Sequence, residues 1–270
     1  MAIINRTPDS FFDRGATFAL AAARNAVDHA VSAGADIIDV GGVKAGPGPE
    51  VGPAEEIERT AELISAIRVD HPDAIISIDT WRSEVAAAAV EAGADLLNDA
   101  WGGFDADLAA VAARTGAGLV CTHAGRAAPR TRPHRVGYLD VVADVVQTVT
   151  GLAGRAEALG VRREAILVDP GHDFGKNTRH SLELTRRLGE VVATGWPVLV
   201  ALSNKDFIGE TLDLPPAERL EGTLAATAVS AWLGARVFRA HQVAPTRKVL
   251  DTIAALRGDR EPRVARRGLA

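Results

Sequence analysis

The stretch AIISIDTWRSEVAAAAVEAGADLLND, Ala74 to Asp99, decides how the whole chain is read. An apolar, β-branched run opens it (AIISID, from Ala74) and a second one closes it (DLLND, from Asp95). A helical segment lies between them, and Gly93 stands just ahead of the second run as a helix stop. Both runs are nearly continuously apolar, as strands of a parallel sheet covered on both faces should be. Each also ends on polar residues: Asp79 in the first, Asn98 and Asp99 in the second.

Working outward, the same unit recurs. AIIN (from Ala2), DIIDV (from Asp36), GLVCTH (from Gly118), AILVD (from Ala165), PVLVA (from Pro197) and RVFRAH (from Arg236) bring the strand-like runs to eight. Helical periodicity separates them. Ala23, Ala26, Val27, Ala30 and Val31 share one face, as do Ile57, Ala61 and Ile64, and later Val142, Val145, Val146 and Val149. Gly34, Gly93, Gly116, Gly160, Gly195 and Gly234 are the stops that precede strands. The pattern predicts an α/β protein, a single-domain (β/α)8 TIM barrel over residues 1–270, with a doubly wound sheet as the alternative. No composition break marks a linker. The segment Gly125–Gly137 reads as a loop, and the polar, Arg-rich tail after about residue 257 is expected to fray.

The bulk numbers fit a soluble globular chain: 270 residues, 47% hydrophobic and 24% charged. A net charge of −5 recruits neither nucleic acid nor an anionic membrane. The single cysteine, Cys121, allows no internal disulfide and suits a reducing cytoplasm. The opening MAIINRTPDSFFD has no basic n-region, so no leader is expected, and no apolar run is long enough for a membrane span.

In a barrel, function gathers where the strands end. The polar residues there are Asn5, Asp39, Asp79, Asn98 with Asp99, His123, Asp169, Ser203 with Lys205, and Arg239 with His241. They are expected to converge on one mouth. Amides and carboxylates suit a flat heterocycle bearing N–H donors, and Lys205, Arg239 and His241 suit an anion. Asp39 can equally orient its neighbours, Asn98 can cap the following segment, and His123 can be a satisfied buried histidine. Thr7, Pro8 and Asp9 can simply shape the first loop. His29, His71 and His180 fall in or beside helices and are assigned no function.

Eight motifs in order carry a resemblance that runs from Ala2 to about Val243. AIINRTPDSFFD, GADIIDVGG, SIDT, LLND, THAG, DPGHDFGK, LSNKDFIGE and FRAH resemble the signatures of the dihydropteroate synthase family. That family joins a dihydropterin diphosphate to p-aminobenzoate on a TIM barrel, releasing pyrophosphate in folate biosynthesis. The resemblance implies that Asp79, Asn98, Asp169 and Lys205 hold the pterin, with Asp169 on the aminopyrimidine edge. It implies Mg²⁺ with the pyrophosphate, Asn5 as its ligand, and Arg239 and His241 as the pyrophosphate clamp. Phe174 and Ser203 would form part of the p-aminobenzoate wall. A cytoplasmic homodimer through the last helices, near Ala217–Leu233 and Thr246–Leu256, is also implied.

The pattern breaks in one place above all. The family's DVGGESTRPG reads Asp39-Val40-Gly41-Gly42-Val43-Lys44-Ala45-Gly46-Pro47-Gly48, so a Thr and an Arg are replaced by Ala45 and Gly46. SRK reads Ser203-Asn204-Lys205, the sixth loop gains His172 and Asp173, RVHD ends in Gln242, and Arg6 stands where Val is usual. These departures resemble the divergent second paralogue, dihydropteroate synthase 2. They imply a pterin-binding homologue of weak or absent synthase activity, with p-aminobenzoate in doubt as a partner. The alternatives are a fully active synthase and a non-catalytic ligand-binding or interaction protein on the same barrel. Arg126, Arg130, Arg132 and Arg135, after the fifth strand, are candidates for the anion contact missing at Gly46, with a solvated loop as the plain alternative.

Overall fold

The computed structural model describes residues 1–8, 15–125, 127–131 and 136–268. Among them are eight parallel strands: β1 (Ala2–Asn5), β2 (Ile37–Gly41), β3 (Ile75–Asp79), β4 (Leu96–Asp99), β5 (Gly118–Thr122), β6 (Ile166–Asp169), β7 (Leu199–Ala201) and β8 (Val237–Arg239). Strands β1 to β6 pair in chain order, and β7 pairs with β8. Single parallel bridges, Val168 to Val198 and Ala2 to Ala240, join the two sets into a ring. Ile3 N donates to Ala240 O at 3.2 Å, and Val168 N to Pro197 O at 3.0 Å. Since β8 lies beside β1, the sheet is a closed barrel and the doubly wound alternative falls. Strand β7 starts later than its apolar run because Pro197 has no N–H to give a ladder.

The helices are α1 (Leu20–Ser32), α2 (Pro53–Asp70), α3 (Ser83–Glu91), α4 (Asp107–Thr115), α5 (Val141–Leu159), α6 (Thr178–Arg186), α7 (Leu188–Val192), α8 (Asp206–Leu212), α9 (Leu220–Trp232) and α10 (Val243–Leu256). Two helices, not one, follow β6 and β7. Arg187 leaves helical geometry between α6 and α7, and Asp213 (φ 56°) followed by Pro215 and Pro216 separates α8 from α9. All six glycines read as stops have positive φ, and Gly116 (φ 77°) and Gly160 (φ 107°) are the C-caps themselves. Asp140 caps α5, accepting from Val142 N at 2.9 Å and Ala143 N at 3.0 Å. Residues 257–268, after α10, are irregular and largely exposed. No helix among the described residues is long and apolar enough to cross a membrane.

The strands' period of two sorts their side chains into two phases. One phase faces the helices: Ile4, Ile38, Val40, Ile76, Ile78, Leu97, Val168 and Val200 belong to the large core beneath α1–α10. Cys121 lies in that phase too, buried as a small hydrophobe with its thiol pushed up to about 12 by burial. The other phase fills the barrel, where Leu96, Val120, Leu199 and Ala201 form a second, smaller cluster with Met1, Leu167 and Val237 against it. Two residues further along these strands come Asn98, Thr122, Asp169, Ser203 and Arg239. The same step in β2 and β3 leads from Ile37 and Ile75 to Asp39 and Ser77, then Gly41 and Asp79. An apolar plug thus fills the lower barrel and a polar layer stands above it, at the strand C-termini.

Candidate functional site

Arg239 organises one side of that polar layer. Its Nε donates to Asp39 Oδ2 at 2.6 Å and its Nη2 to Asp79 Oδ2 at 2.7 Å. Asp39, fully buried, also accepts from Ser77 Oγ at 2.6 Å and Asn98 Nδ2 at 3.3 Å. The orienting role read for Asp39 is therefore what the geometry shows: it fixes Arg239 and Asn98. Burial works against the Arg239 charge, but Asp39 and Asp79 outweigh it and hold its pKa above the ordinary value. Burial pushes the Asp79 carboxyl up while Arg239 pulls it back. Asn98 is tied to Asp39 and does not cap a helix, since the N-cap of the next helix is Ala106. Asp99, in the helix-facing phase, accepts from Trp101 N at 3.0 Å and Gly103 N at 2.6 Å and shapes the turn after β4.

Lys205 and Asp169 form the opposite side. Lys205 Nζ donates to His172 O at 2.5 Å and lies 4.9 Å from the centre of the Phe174 ring. Burial lowers the Lys205 pKa, opposed by Asp173, Asp169 and Asp79, so these groups share one electrostatic site. Asp169 Oδ1 accepts from Gly171 N at 2.7 Å, and burial raises its carboxyl against the pull of Lys205. Thr122, opposite Asp169 in the β5–β6 register, has a buried Oγ1 with no hydrogen-bond partner among the described residues. A buried hydroxyl without a partner is a feature that a bound ligand can satisfy.

Ser203 and His241 close the ring. Ser203 Oγ lies 2.9 Å from His241 Nδ1 and accepts from His241 N at 3.2 Å. Burial, then Arg239 and Lys205, push His241 down to about 3, so at neutral pH it is an uncharged imidazole and not a cation. On β1, Asn5 has its carbonyl held by Thr17 Oγ1 at 2.6 Å. Its Oδ1 faces Gly41: a Cβ placed at Gly41 would stand 3.6 Å from Asn5 Oδ1 and 3.7 Å from Asp79 Cβ. Glycine there keeps the space between the amide and the carboxylate open.

One strand-end residue departs from the expected convergence. The His123 side chain is engaged behind the mouth, with Nε2 2.8 Å from Asp144 Oδ1 on α5 and Nδ1 2.6 Å from Lys176 Nζ. It is the satisfied buried histidine of the plainer reading. Lys176 also donates to Gly171 O at 2.9 Å and Phe174 O at 3.1 Å, so it pins the loop that carries Phe174. Burial brings Lys176 down to about 7, and burial with the Lys176 charge brings His123 down to about 4. The two unusual residues of this loop belong to its frame. His172 Nε2 lies 3.0 Å from Thr185 Oγ1. Asp173 (φ 67°) accepts from Ser181 Oγ at 3.0 Å and from Phe207 N at 3.2 Å. His29, His71 and His180 meet Asn25 O, Asp28 and the N-cap of α6, which agrees with assigning them no function.

An aromatic wall is the feature that motif reading missed. Trp101, nearly buried, packs edge-on against Phe174 at 5.1 Å and against Trp81 at 6.3 Å. The Arg82 guanidinium covers Trp81 at 4.5 Å and pairs with buried Glu56 at 2.5 Å. The available signal was that two of four tryptophans follow the third and fourth strands by two residues each.

The loop after β2 is held from outside. Arg59 Nη1 donates to Gly42 O at 2.9 Å, and buried Arg6 donates through Nε to Arg59 O at 2.8 Å, so the arginine in a valine's place packs structurally. From the loop after β5, Arg130 Nη1 donates to Pro49 O at 2.7 Å and Nε to Gly46 O at 3.4 Å. Asp9, Arg126, Arg132 and Arg135 lie outside the described residues.

Comparison with known proteins agrees with this geometry. A family model described as pterin binding enzyme matches residues 1–241. "Inactive dihydropteroate synthase 2" of Mycobacterium tuberculosis is 59% identical over 274 aligned positions, covering 100% of this chain and 86% of that protein. Dihydropteroate synthase of Synechocystis is 39% identical, over 95% of this chain and 89% of its own length. The crystal structure of Yersinia pestis dihydropteroate synthase with a sulfonamide drug complex superposes with a TM-score of 0.91 at 33% identity, covering 96% of this chain and 94% of that one. Closed barrel, strand-end motifs and these likenesses converge: the chain belongs to the pterin-binding enzyme family, as a divergent homologue of dihydropteroate synthase.

Proposed function

We propose that the mouth is a pocket for a reduced pterin whose coupling to p-aminobenzoate is slow or lost. The observation that carries this is the one polar layer in which Asp79, Asn98, Asp169 and Lys205 stand together above the apolar plug, while Ala45 and Gly46 lie on the rim. In this reading the Asp169 carboxylate accepts two N–H bonds from the aminopyrimidine edge. Asn98, aimed by Asp39, and Asp79, aimed by Arg239, meet the rest of the ring. Lys205 donates to a ring acceptor, and Thr122 Oγ1 gains a partner. Arg239 offers its face to the ring and its remaining charge to the diphosphate, and neutral His241 joins that side as a hydrogen-bonding imidazole. Phe174 and Ser203 border the space for the second substrate.

Mg²⁺ fits this donor set in one way only. Among the described residues no group of three or more His, Cys, Asp or Glu is placed to hold a metal. Asn5 Oδ1 is one oxygen beside open space, which suits an ion held mainly by phosphate oxygens and water. The ion would neutralise charge on the departing diphosphate, and Asn5 would orient it.

Activity should be low because the rim lacks a hydroxyl and a guanidinium. Each missing charge-assisted contact removes about 1.5–3 kcal/mol, so two of them remove two or more decades in rate if felt in the transition state. A pyrophosphate-release assay should show turnover at least two decades below an active synthase, and Ala45→Thr with Gly46→Arg should raise it. The "inactive" relative supports this reading. Wild-type turnover equal to an active synthase would overturn it.

Assembly belongs to the same proposal. Helices α9 and α10 pack on each other and leave Val229, Trp232 and Leu256 between 48% and 68% exposed, an apolar face that suits a homodimer. Light scattering at micromolar concentration should give twice the 28.3 kDa chain mass, and the chain mass itself would refute the dimer. The reading places the protein in the cytoplasm, where folate-type substrates and a reduced Cys121 belong.

A further inference from the structure

Arg130 comes from the loop after β5 yet reaches the loop after β2, although β3 and β4 stand between those strands in the ring. A contact between the two loops therefore spans the mouth. The chain spends conformational freedom to make it: Arg130 has φ 62°, a left-handed geometry that residues with a Cβ avoid. Flanking turns hold it there, with Ala127 N donating to Ala124 O at 3.2 Å and Thr131 Oγ1 to Ala128 O at 2.6 Å.

The guanidinium is only partly used. A guanidinium carries five N–H donors in a rigid fork. Arg130 gives one from Nε to Gly46 O and one from Nη1 to Pro49 O, leaving Nη2 and the second Nη1 hydrogen. Its two acceptors are uncharged carbonyls, and among the described residues it has no carboxylate partner, whereas Arg82, Arg187, Arg219 and Arg239 each have one. Gly46 has no side chain to compete for the space beside it.

We propose that Arg130 is an oxyanion receptor at the rim of the mouth: two backbone carbonyls of the β2 loop aim its guanidinium, and its free edge takes a carboxylate or phosphoryl group of a ligand seated below. A fixed fork with a free edge suits a planar, two-oxygen anion better than a flexible lysine would. The charge missing at position 46 is thus supplied from another loop, at nearly the same point in space. This rests on the mouth being a ligand site, as proposed above.

The test titrates the full chain, with 6-hydroxymethylpterin, with 4-aminobenzoate and with inorganic pyrophosphate, each separately. The variants are Arg130→Gln and the double variant Arg130→Gln with Gly46→Arg. We expect the wild type to bind at least one of the two anions and Arg130→Gln to weaken that binding about tenfold, as loss of one charge-assisted contact does. Pterin affinity should stay unchanged, and the double variant should recover most of the loss. Whichever anion responds identifies a carboxylate or a phosphoryl source. The receptor is overturned if the wild type binds neither anion, or if Arg130→Gln binds both as the wild type does. Equal losses for anion and pterin would also overturn it, because Arg130 would then be closing the mouth and not reading charge. Failure of pterin alone, with an Arg130-dependent anion response, would instead refute the pterin reading and leave the receptor standing.

Discussion

Replacing Arg239 with alanine is expected to cost about 3–5 kcal/mol of folding stability, the largest loss of any single mouth residue. The reason is Asp39, which has no exposure and depends on Arg239 Nε at 2.6 Å for its counter-charge. Truncation leaves one carboxylate buried with only Ser77 and Asn98 for partners, and a second, Asp79, without its guanidinium. For a chain of this size the loss corresponds to a fall in Tm of roughly 6–15 °C. The effect has a pH signature. Burial already raises Asp79 from its ordinary 3.8 toward about 7, and removing Arg239 takes away the main opposing pull. An acid whose folded pKa is raised binds more protons folded than unfolded, so stability falls as pH rises through that window. The variant should therefore be more stable near pH 5 than near pH 8, and Asp39→Asn added to Arg239→Ala should restore part of the loss. Denaturant melts at the two pH values decide it. A loss under about 1 kcal/mol that does not change with pH would show that Asp39 is not held as described.

Asp169→Asn is the second large effect, and it acts on affinity. The amide keeps the oxygen that accepts from Gly171 N at 2.7 Å, so the β6 loop should hold its shape. The other oxygen is the one offered to the ligand, and it becomes an NH₂ that faces donors with donors. Two charge-assisted bonds of about 1.5–3 kcal/mol each are lost, so pterin affinity should fall by 10²-fold or more with little change in Tm. Equal pterin affinity in wild type and variant would remove Asp169 from the site.

These two residues also show what was legible in the sequence. Each ends a short apolar run, and the period of two then dictates that Asp79, Asn98, Asp169 and Arg239 face the barrel interior together. The phase of a strand is a local property, so eight strand ends were enough to find the mouth. His123 shows the limit. It ends the fifth apolar run, but its side chain turns to Asp144 and Lys176, and Lys176 lies 53 residues away in sequence. No local pattern reports that pairing. Arg130 and Gly46 are 84 residues apart and meet only because one loop spans the mouth, which depends on loop length and turn geometry. The tryptophans were missed for another reason: Trp81 and Trp101 read as ordinary loop residues until Phe174, from a third loop, is seen against one of them.

The central claim is that ring recognition survives here while coupling does not. Calorimetry with 6-hydroxymethyl-7,8-dihydropterin diphosphate and Mg²⁺, followed by p-aminobenzoate in the same cell, tests it most directly. The account predicts saturable heat on the first addition, abolished by Asp169→Asn, and no sustained heat of turnover on the second. Absence of any pterin binding, or turnover at the rate of an active synthase once p-aminobenzoate is added, would contradict it.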